Sequence, residues 1–362
     1  MRILDKYILK ELLGPFVFGI AAFSSIFIGT NTLFKIAQYI TQYGASISSV
    51  VKLFFLSLPS ILVLTFPMSM LLGSLMAFGR LSGSSEITAM KSGGVSFYRL
   101  AAPVLIFAFV VSMFTIVINE KVVPASNTAY NRIVTQDIKK DFNPVSQEHI
   151  VIKDVAKDEY QRILYARSFN QKTATMTNVT IQEIENDKVV RIETAQKAVW
   201  DQNQWIMYDG IINDMSVEGK IERTLRFKEQ VLPINKDPEN ISKEQKKREE
   251  MTIKELKQQI KILQMEKISS GKYEVELHQR VSIPLTCFIF ALIGSPLGLA
   301  PNRSSSSIGL GVSVVIIFIY YTMMTIFGTL GQSERIAPAL AAWLPDIVAM
   351  TVGVYLMKRA SH

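Results

Sequence analysis

Apolar and polar positions follow two different rhythms along this chain. Windows at 12–34, 50–78, 100–123, 281–300, 307–330 and 338–357 are apolar nearly throughout. At about 1.5 Å of rise per residue, some twenty helical residues cross a hydrocarbon core of roughly 30 Å. The windows therefore predict six transmembrane helices. From about 150 the rhythm shortens. "YQRILYARSF", "NVTIQEI", "KVVRIETAQKAVW", "QWIMYDGIIND" and "KIERTLRF" alternate polar and apolar residues and are rich in β-branched and aromatic types. Asn186-Asp187, Asp209-Gly210 and Glu218-Gly219 read as turn signals. Strands at such regular spacing predict an antiparallel sandwich or jelly roll. The apolar face of each strand is then core in a closed sandwich, or a greasy channel in an open one.

Residues 240–263 return to helical spacing. Met251, Leu256, Ile260 and Leu263 fall on one face, with Thr252 as N-cap and Glu255 three residues on. Gly271 reads as the end of a following turn before the fourth span. Pro59 and Pro67 lie in the second span, as packing features or as a hinge.

Charge orients the scheme. The net charge is +8. Arg2, Lys6, Lys10, Arg80, Lys91, Arg99, Arg303, Lys358 and Arg359 flank span ends that belong in one compartment, whereas the short loops 38–49 and 331–337 carry little beyond Glu334 and Arg335. The positive-inside rule then makes both termini cytoplasmic and the segment 124–275 extracytoplasmic. Arg2, Lys6 and Lys10 resemble the start of a signal peptide, but the apolar run after them is long, and it reads as a retained helix. The basic excess fits anionic lipid headgroups, and nothing resembles a nucleic-acid module. The single cysteine, Cys287, lies in the fourth span, so the exported segment has no disulfide. No phosphate loop, HExxH or CxxC motif occurs, and His149, His278 and His362 are scattered. No catalytic residue and no metal site is expected. Transport or signalling is favoured over chemistry.

Four places carry candidate function. "GRLSGSSEITAMKSGGVS" at 79–96 sits between two spans. Gly83, Ser84 or Ser85 caps a short helix there, Glu86 falls in its first turn, and Gly93-Gly94 end it. Two turns are unstable alone in water. Ile87, Ala89 and Met90 are its exposed apolar residues, resting on the chain's own helices or docking in a partner's groove. Lys35, at the outer end of the first span, either snorkels to headgroups or meets a lipid phosphate, with Lys52 nearby. Asp346 lies inside the last span after Pro345, whose fresh helical turn would offer its carboxylate free amides. Glu120 reads as interfacial.

"LDKYILKELLGPF", "FGRLSGSSEITAMKSGGVS", "VELHQRVSIPLTCFIFALIGSPLGL" and "APALAAWLPDIV", in that order, resemble the LptF/LptG (YjgP/YjgQ) permeases over essentially the whole chain. The family more often has asparagine where this chain has Asp346. The resemblance implies a polytopic α-helical membrane protein with six transmembrane helices and an inserted extracytoplasmic all-β jelly-roll domain. Residues 1–123 would hold helices one to three and a coupling helix near 83–93, residues 124–275 the periplasmic domain with a helical return segment, and residues 276–362 helices four to six. It further implies the permease subunit of an ATP-binding cassette transporter that extracts lipopolysaccharide from the bacterial inner membrane. Its expected partners are a cytoplasmic ATPase dimer, a second permease of the family and a periplasmic jelly-roll bridge. The chain binds no cofactor on this reading, and ATP enters through the ATPase. Glu86, Arg80, Ile87 and Met90 would face the ATPase, Lys35 and Lys52 the lipid phosphates, and spans one and five would be lateral gates. The rival from another class is a membrane-anchored receptor or scaffold with an extracytoplasmic β domain. A weaker third is a proton-coupled transporter using Asp346.

Overall fold

A computed structural model describes residues 3–138, 146–156, 160–170, 173–185, 188–201, 204–216, 220–232, 238, 247–265, 269–299 and 306–361. Among them, six helical stretches are long and apolar enough to cross a membrane: Ile3–Tyr43, Ile47–Gly83, Phe97–Ile133, Gly271–Leu297, Gly309–Gln332 and Pro338–Ser361. The chain is a polytopic α-helical membrane protein with an inserted all-β domain. We label the described helices α1 (Ile3–Phe27), α2 (Leu33–Tyr43), α3 (Ile47–Gly83), α4 (Glu86–Ser92), α5 (Phe97–Val117), α6 (Val123–Ile133), α7 (Ile253–Met265), α8 (Gly271–Leu297), α9 (Ser306–Gln332) and α10 (Pro338–Ser361). Five-residue π segments, Ile28–Thr32 and Ile118–Val122, join α1 to α2 and α5 to α6 without a break.

The first three helical stretches outrun their apolar windows, because extending a formed helix costs far less than nucleating one. Pro59 and Pro67 sit inside the continuous helix α3. Gly271 starts α8, where a turn end was expected. The reason lies in a distant residue: Glu334 accepts the Gly271 N–H at 2.9 Å and the Ser269 hydroxyl at 2.7 Å, satisfying donors that a helix start leaves open.

Chain contacts divide the protein into two units. One comprises Met1–Ile133, Arg248–Lys257 and Ser269–His362; the other comprises Val134–Lys247 and Gln258–Ile268. In the helical unit, α3 and α8 contribute more buried residues than any other helix, including Met70, Leu71, Ala77, Phe78, Cys287, Phe290 and Ala291. Small residues bring their neighbours close. A Cβ at Gly73 would lie 3.2 Å from the Phe16 backbone, and one at Gly294 2.9 Å from the Leu71 carbonyl. Helices in lipid gain little from the hydrophobic effect between them, so close van der Waals approach has to hold them.

The expected cap at α7 is present. The Glu255 carboxylate accepts the Thr252 N–H at 2.8 Å, and Thr252 Oγ1 accepts the Glu255 N–H at 3.3 Å. Glu120, expected at the interface, also accepts the Ile253 N–H with both oxygens at 3.0 Å. Met251, Leu256 and Ile260 are buried as their spacing required, and Leu263 is half-buried.

The β unit holds six strands, β1 (Ser146–Ala156), β2 (Tyr160–Asn170), β3 (Thr175–Glu185), β4 (Lys188–Asp201), β5 (Gln204–Met215) and β6 (Ile221–Leu232), paired antiparallel in chain order. Each of the five ladders skips one pair on the same line. That line runs through His149, Arg167, Asn178, Gln196, Asp209 and Lys228. Asn178 and Asp209 on it have φ of 46° and 50°, a left-handed conformation that short polar side chains tolerate best. The buried positions change parity across it: Ala166 then Phe169, Met176 then Val179, Ala195 then Ala198, Met207 then Gly210. The meander therefore folds over along a crease, and both halves contribute to one buried cluster without a crossover connection. Asp209-Gly210 lies on this crease within β5 and is not a hairpin turn, while Asn186-Asp187 and Glu218-Gly219 lie outside the described residues. The interior is filled by side chains. Phe169, Met176, Ala198, Trp205 and Met207 are each fully buried, with the Phe169 and Trp205 rings edge to face at 6.0 Å. In this state the apolar strand faces form a packed core.

Candidate functional site

The start of α1, the short helix α4 and the end of α10 converge at one end of the helical unit. Lys91 Nζ donates to the Ala360 carbonyl at 3.2 Å, and Ser361 lies within 3.4 Å of the Tyr98 hydroxyl. Helix α4 spans Glu86–Ser92, with Ser85 before it at φ 62° and Gly94 after it at φ 84°. Ser85 supplies no side-chain cap, so the helix depends on tertiary contacts, as its seven residues require. Ile87 provides the main one. It is 4 % exposed and packs in the core cluster with Ile8, Leu12 and Phe78. The expectation that Ile87 is exposed is thus corrected: it is the anchor, because a two-turn helix needs a buried side chain to persist. Met90 packs partly against the same cluster. Thr88, Ala89, Lys91 and Ser92 form the outer face.

Glu86 is half-buried and committed within the chain. Its carboxylate accepts the Tyr7 hydroxyl at 2.7 Å and the Ser84 hydroxyl at 2.8 Å. These bonds, Tyr7's most of all, hold its carboxyl below the ordinary carboxylate range. Each oxygen keeps a second acceptor site. Arg80 pairs with Glu11 at 2.8 Å, and Arg99 with Asp5 at 2.6 Å. Helix α1 is therefore tied at three points within two turns, Asp5, Tyr7 and Glu11, to the α3–α4–α5 corner, through partners that sequence spacing could not suggest.

Lys35 on α2 and Lys52 on α3 are both exposed, on the two sides of the turn at Gly44. Neither makes an ion pair among the described residues. They are far in sequence from α4, and the structure does not bring them into its cluster.

Asp346 is 3 % exposed. It does not use backbone amides, as expected from Pro345, because Pro345 lies inside the continuous helix α10. Its Oδ1 accepts the Tyr320 hydroxyl from α9 at 2.8 Å and the Thr286 hydroxyl from α8 at 3.0 Å. A second intramembrane charge escaped the sequence reading. Arg280 on α8 is 2 % exposed and donates to the Asn119 carbonyl at 2.8 Å and the Arg248 carbonyl at 3.2 Å. Asn119 returns a bond to the Arg280 carbonyl at 3.1 Å. A basic residue at the edge of an apolar window was the available signal.

The model of the family "Lipopolysaccharide export system permease LptF/LptG" matches residues 6–359. The chain belongs to the LptF/LptG family. Its curated relatives include the lipopolysaccharide export system permease protein LptG of Escherichia coli K12, 24 % identical over 99 % of both chains. The protein of the same name from Haemophilus influenzae is 20 % identical over 98 % of both. The match covers all six spans and the β insertion, so the membership rests on the whole architecture. As an LptF/LptG permease, the chain is a multi-pass membrane protein of lipopolysaccharide export.

Proposed function

We propose that this chain is the permease subunit of an ATP-driven transporter that extracts lipopolysaccharide from the inner membrane and hands it to a periplasmic bridge. Family membership gives the transported class. The observation that carries the mechanism is the short helix α4, seated on the core by Ile87 and tied to α1 by the Tyr7–Glu86 bond. A small rigid element that grips a membrane helix can pass a soluble partner's stroke into the bilayer. Glu86, with spare acceptor capacity, and the outer residues of α4 face a basic groove of a cytoplasmic ATPase dimer. That dimer binds the ATP. Arg80 shapes the same corner through Glu11. A second permease, alike or different, completes the membrane part.

The exposed cations Lys6, Lys10, Arg80, Lys91, Lys358 and Arg359 gather at the α4 end, which supports cytoplasmic termini and a periplasmic β domain. Lys35, with Lys52 beside it, meets lipid phosphates at the far end of the first span. The acyl chains travel through the β domain once its two halves part, since each methylene kept from water contributes about 0.8 kcal/mol.

The test is affinity capture of tagged chain from membranes. A cytoplasmic ATPase should accompany the wild type and be lost, or hydrolyse without export, with Glu86→Ala. Lys35→Glu should weaken lipopolysaccharide photocrosslinking while assembly survives. Unchanged ATPase recovery and coupling in Glu86→Ala would refute the coupling role, and unchanged crosslinking in Lys35→Glu would refute the phosphate role.

A further inference from the structure

The crease divides the β unit into two halves, and a side-chain bond spans them. Glu193 lies on β4 before the crease, in register with Ile212 of β5, whose own partner on β6 is Leu225. Gln230 lies on β6 after the crease, in register with Met207. In a flat sheet it would stand five residues, about 16 Å, beyond the β6 position that faces Glu193 across β5. Yet Gln230 Nε2 donates to Glu193 Oε2 at 3.3 Å. The contact exists because the sheet folds over, and parting the halves breaks it.

The half that holds Glu193 also carries a row of charges. Asp154, Arg162, Glu183, Arg191, Asp214 and Arg223, one on each strand, are successive register partners and alternate in sign. Arg162 Nε donates to Glu183 at 2.6 Å and Arg191 Nε to Asp214 at 2.7 Å, with Arg191 also 3.7 Å from Glu183. The row is balanced in itself. Glu193, two residues along β4 from Arg191, is the charge left over. It is 3 % exposed and makes no ion pair among the described residues. Burial pushes its carboxyl above the ordinary range. Glu183 and Asp214 add to that effect, Arg191 and Arg162 oppose it, and β6 brings only the uncharged Gln230.

Gln230 shows where a proton belongs. Its Oε1 is buried and meets no hydrogen-bond donor among the described residues. A buried acceptor left without a donor is costly. A protonated Glu193 supplies that donor, and acid and amide then bond each other in both directions. Turning the amide over would set oxygen against oxygen and call for the same proton. An ionised Glu193 offers no donor in either arrangement.

We propose that protonated Glu193 and Gln230 form a latch across the crease, and that loss of the proton frees the two halves of the β domain to part. Once ionised, Glu193 is an unpaired charge beside Glu183 and Asp214, and opening the crease is what hydrates it. The closed form holds the proton more tightly, so acid favours it. The ratio of open to closed rises with pH by up to about ten-fold per unit between the ordinary carboxylate value and the raised one, and levels off above. The inference deepens the transport reading, on which it rests only for what the opening admits. The latch itself stands on the chain's own contacts.

The experiment uses the full chain in lipid nanodiscs with pairs of spin labels. Cys287, the only cysteine, is fully buried and inaccessible to the reagent. One pair, at the exposed Asp201 and Glu222, reads the tip of one half against the tip of the other. A second, at the exposed Thr177 and Val231, reads within one half. From about pH 4.5 to about pH 8, the first pair should gain a population at longer distance while the second stays constant. Glu193→Gln keeps a donor for the Gln230 oxygen without a titrating proton and should stay closed throughout. Gln230→Leu removes the latch and should show the longer population at every pH. A wild-type first pair that ignores pH, or a response that survives in Glu193→Gln, would overturn the proposal. Should Glu193→Gln not fold, a response in Gln230→Leu as large as that of the wild type would overturn it. Absence of lipopolysaccharide crosslinking inside the β domain, with the pH response intact, would instead strike only the transport reading.

Discussion

Helices α8 and α9 are neighbours of equal length, 27 residues each, and both are apolar enough to span a membrane. Yet the most apolar window of α8 is 72 % buried and that of α9 only 17 %. Apolarity does not put α8 inside, since α8 is the less apolar of the two; contact geometry does. Helix α8 meets α3, α5 and α10 through small residues on several faces, and it carries the buried groups Arg280, Thr286 and Ser295. Helix α9 offers one stripe and two tyrosine hydroxyls. An apolar sequence in lipid is satisfied either way, because hydrocarbon and protein interior are similar solvents for leucine. What distinguishes a hub from an edge helix is where backbones can come close and where polar groups need partners.

The sharpest way to break this contrast is to add volume to each helix in turn. Gly294→Leu places a Cβ 2.9 Å from the Leu71 carbonyl, against backbone that cannot move aside. It should cost about 3 kcal/mol or more and largely abolish monodisperse protein on size exclusion. Gly311→Leu meets nothing within 4 Å and should leave the elution profile unchanged. Similar losses from both would erase the distinction.

Polar groups give the next largest effect. Arg280→Met removes a buried cation and leaves the Asn119 and Arg248 carbonyls short of a donor, which should cost about 1–3 kcal/mol and lower the thermal midpoint in detergent. On α9, Tyr321→Phe loses one neutral bond to the Leu64 carbonyl and should cost about 1 kcal/mol. The ratio of the two midpoint shifts sharpens the comparison, and a larger shift for Tyr321→Phe would reverse it.

The smallest effect belongs to the exposed latch on α1. Glu86 has a depressed carboxyl pKa, so its contribution is full above the ordinary carboxylate range and is lost as pH falls through its own lowered value. Tyr7→Phe should therefore lower the thermal midpoint slightly near neutral pH, and the difference from wild type should vanish in acid. A difference that grows in acid would show that the tyrosine acts by packing alone.

Part of this was legible early. The capping box at Thr252 and Glu255 was readable because both partners lie within one helical turn. The short helix at Glu86 was readable from its flanking glycines and serines. Its buried face was not, because Ile87 joins one cluster with Ile8 and Leu12, which approach it only after three helices have assembled. Tyr7 as the partner of Glu86 is 79 residues away, and Tyr320 is 26 residues from Asp346. The strands were legible from alternation, but the crease was not. A skipped pair on five successive ladders depends on register, and register is a relation between strands.

Sequence by itself therefore determined the spans, the strands, the cap and the charge asymmetry, since each rests on spacing within a few residues and on the free energy of placing a side chain in water or hydrocarbon. Only the tertiary structure decided which apolar helix is the hub, where the sheet folds over, and which hydroxyls satisfy the carboxylates of Glu86 and Asp346. Those depend on directional contacts between segments that the chain keeps far apart, and no local pattern encodes the distance at which two such segments will meet.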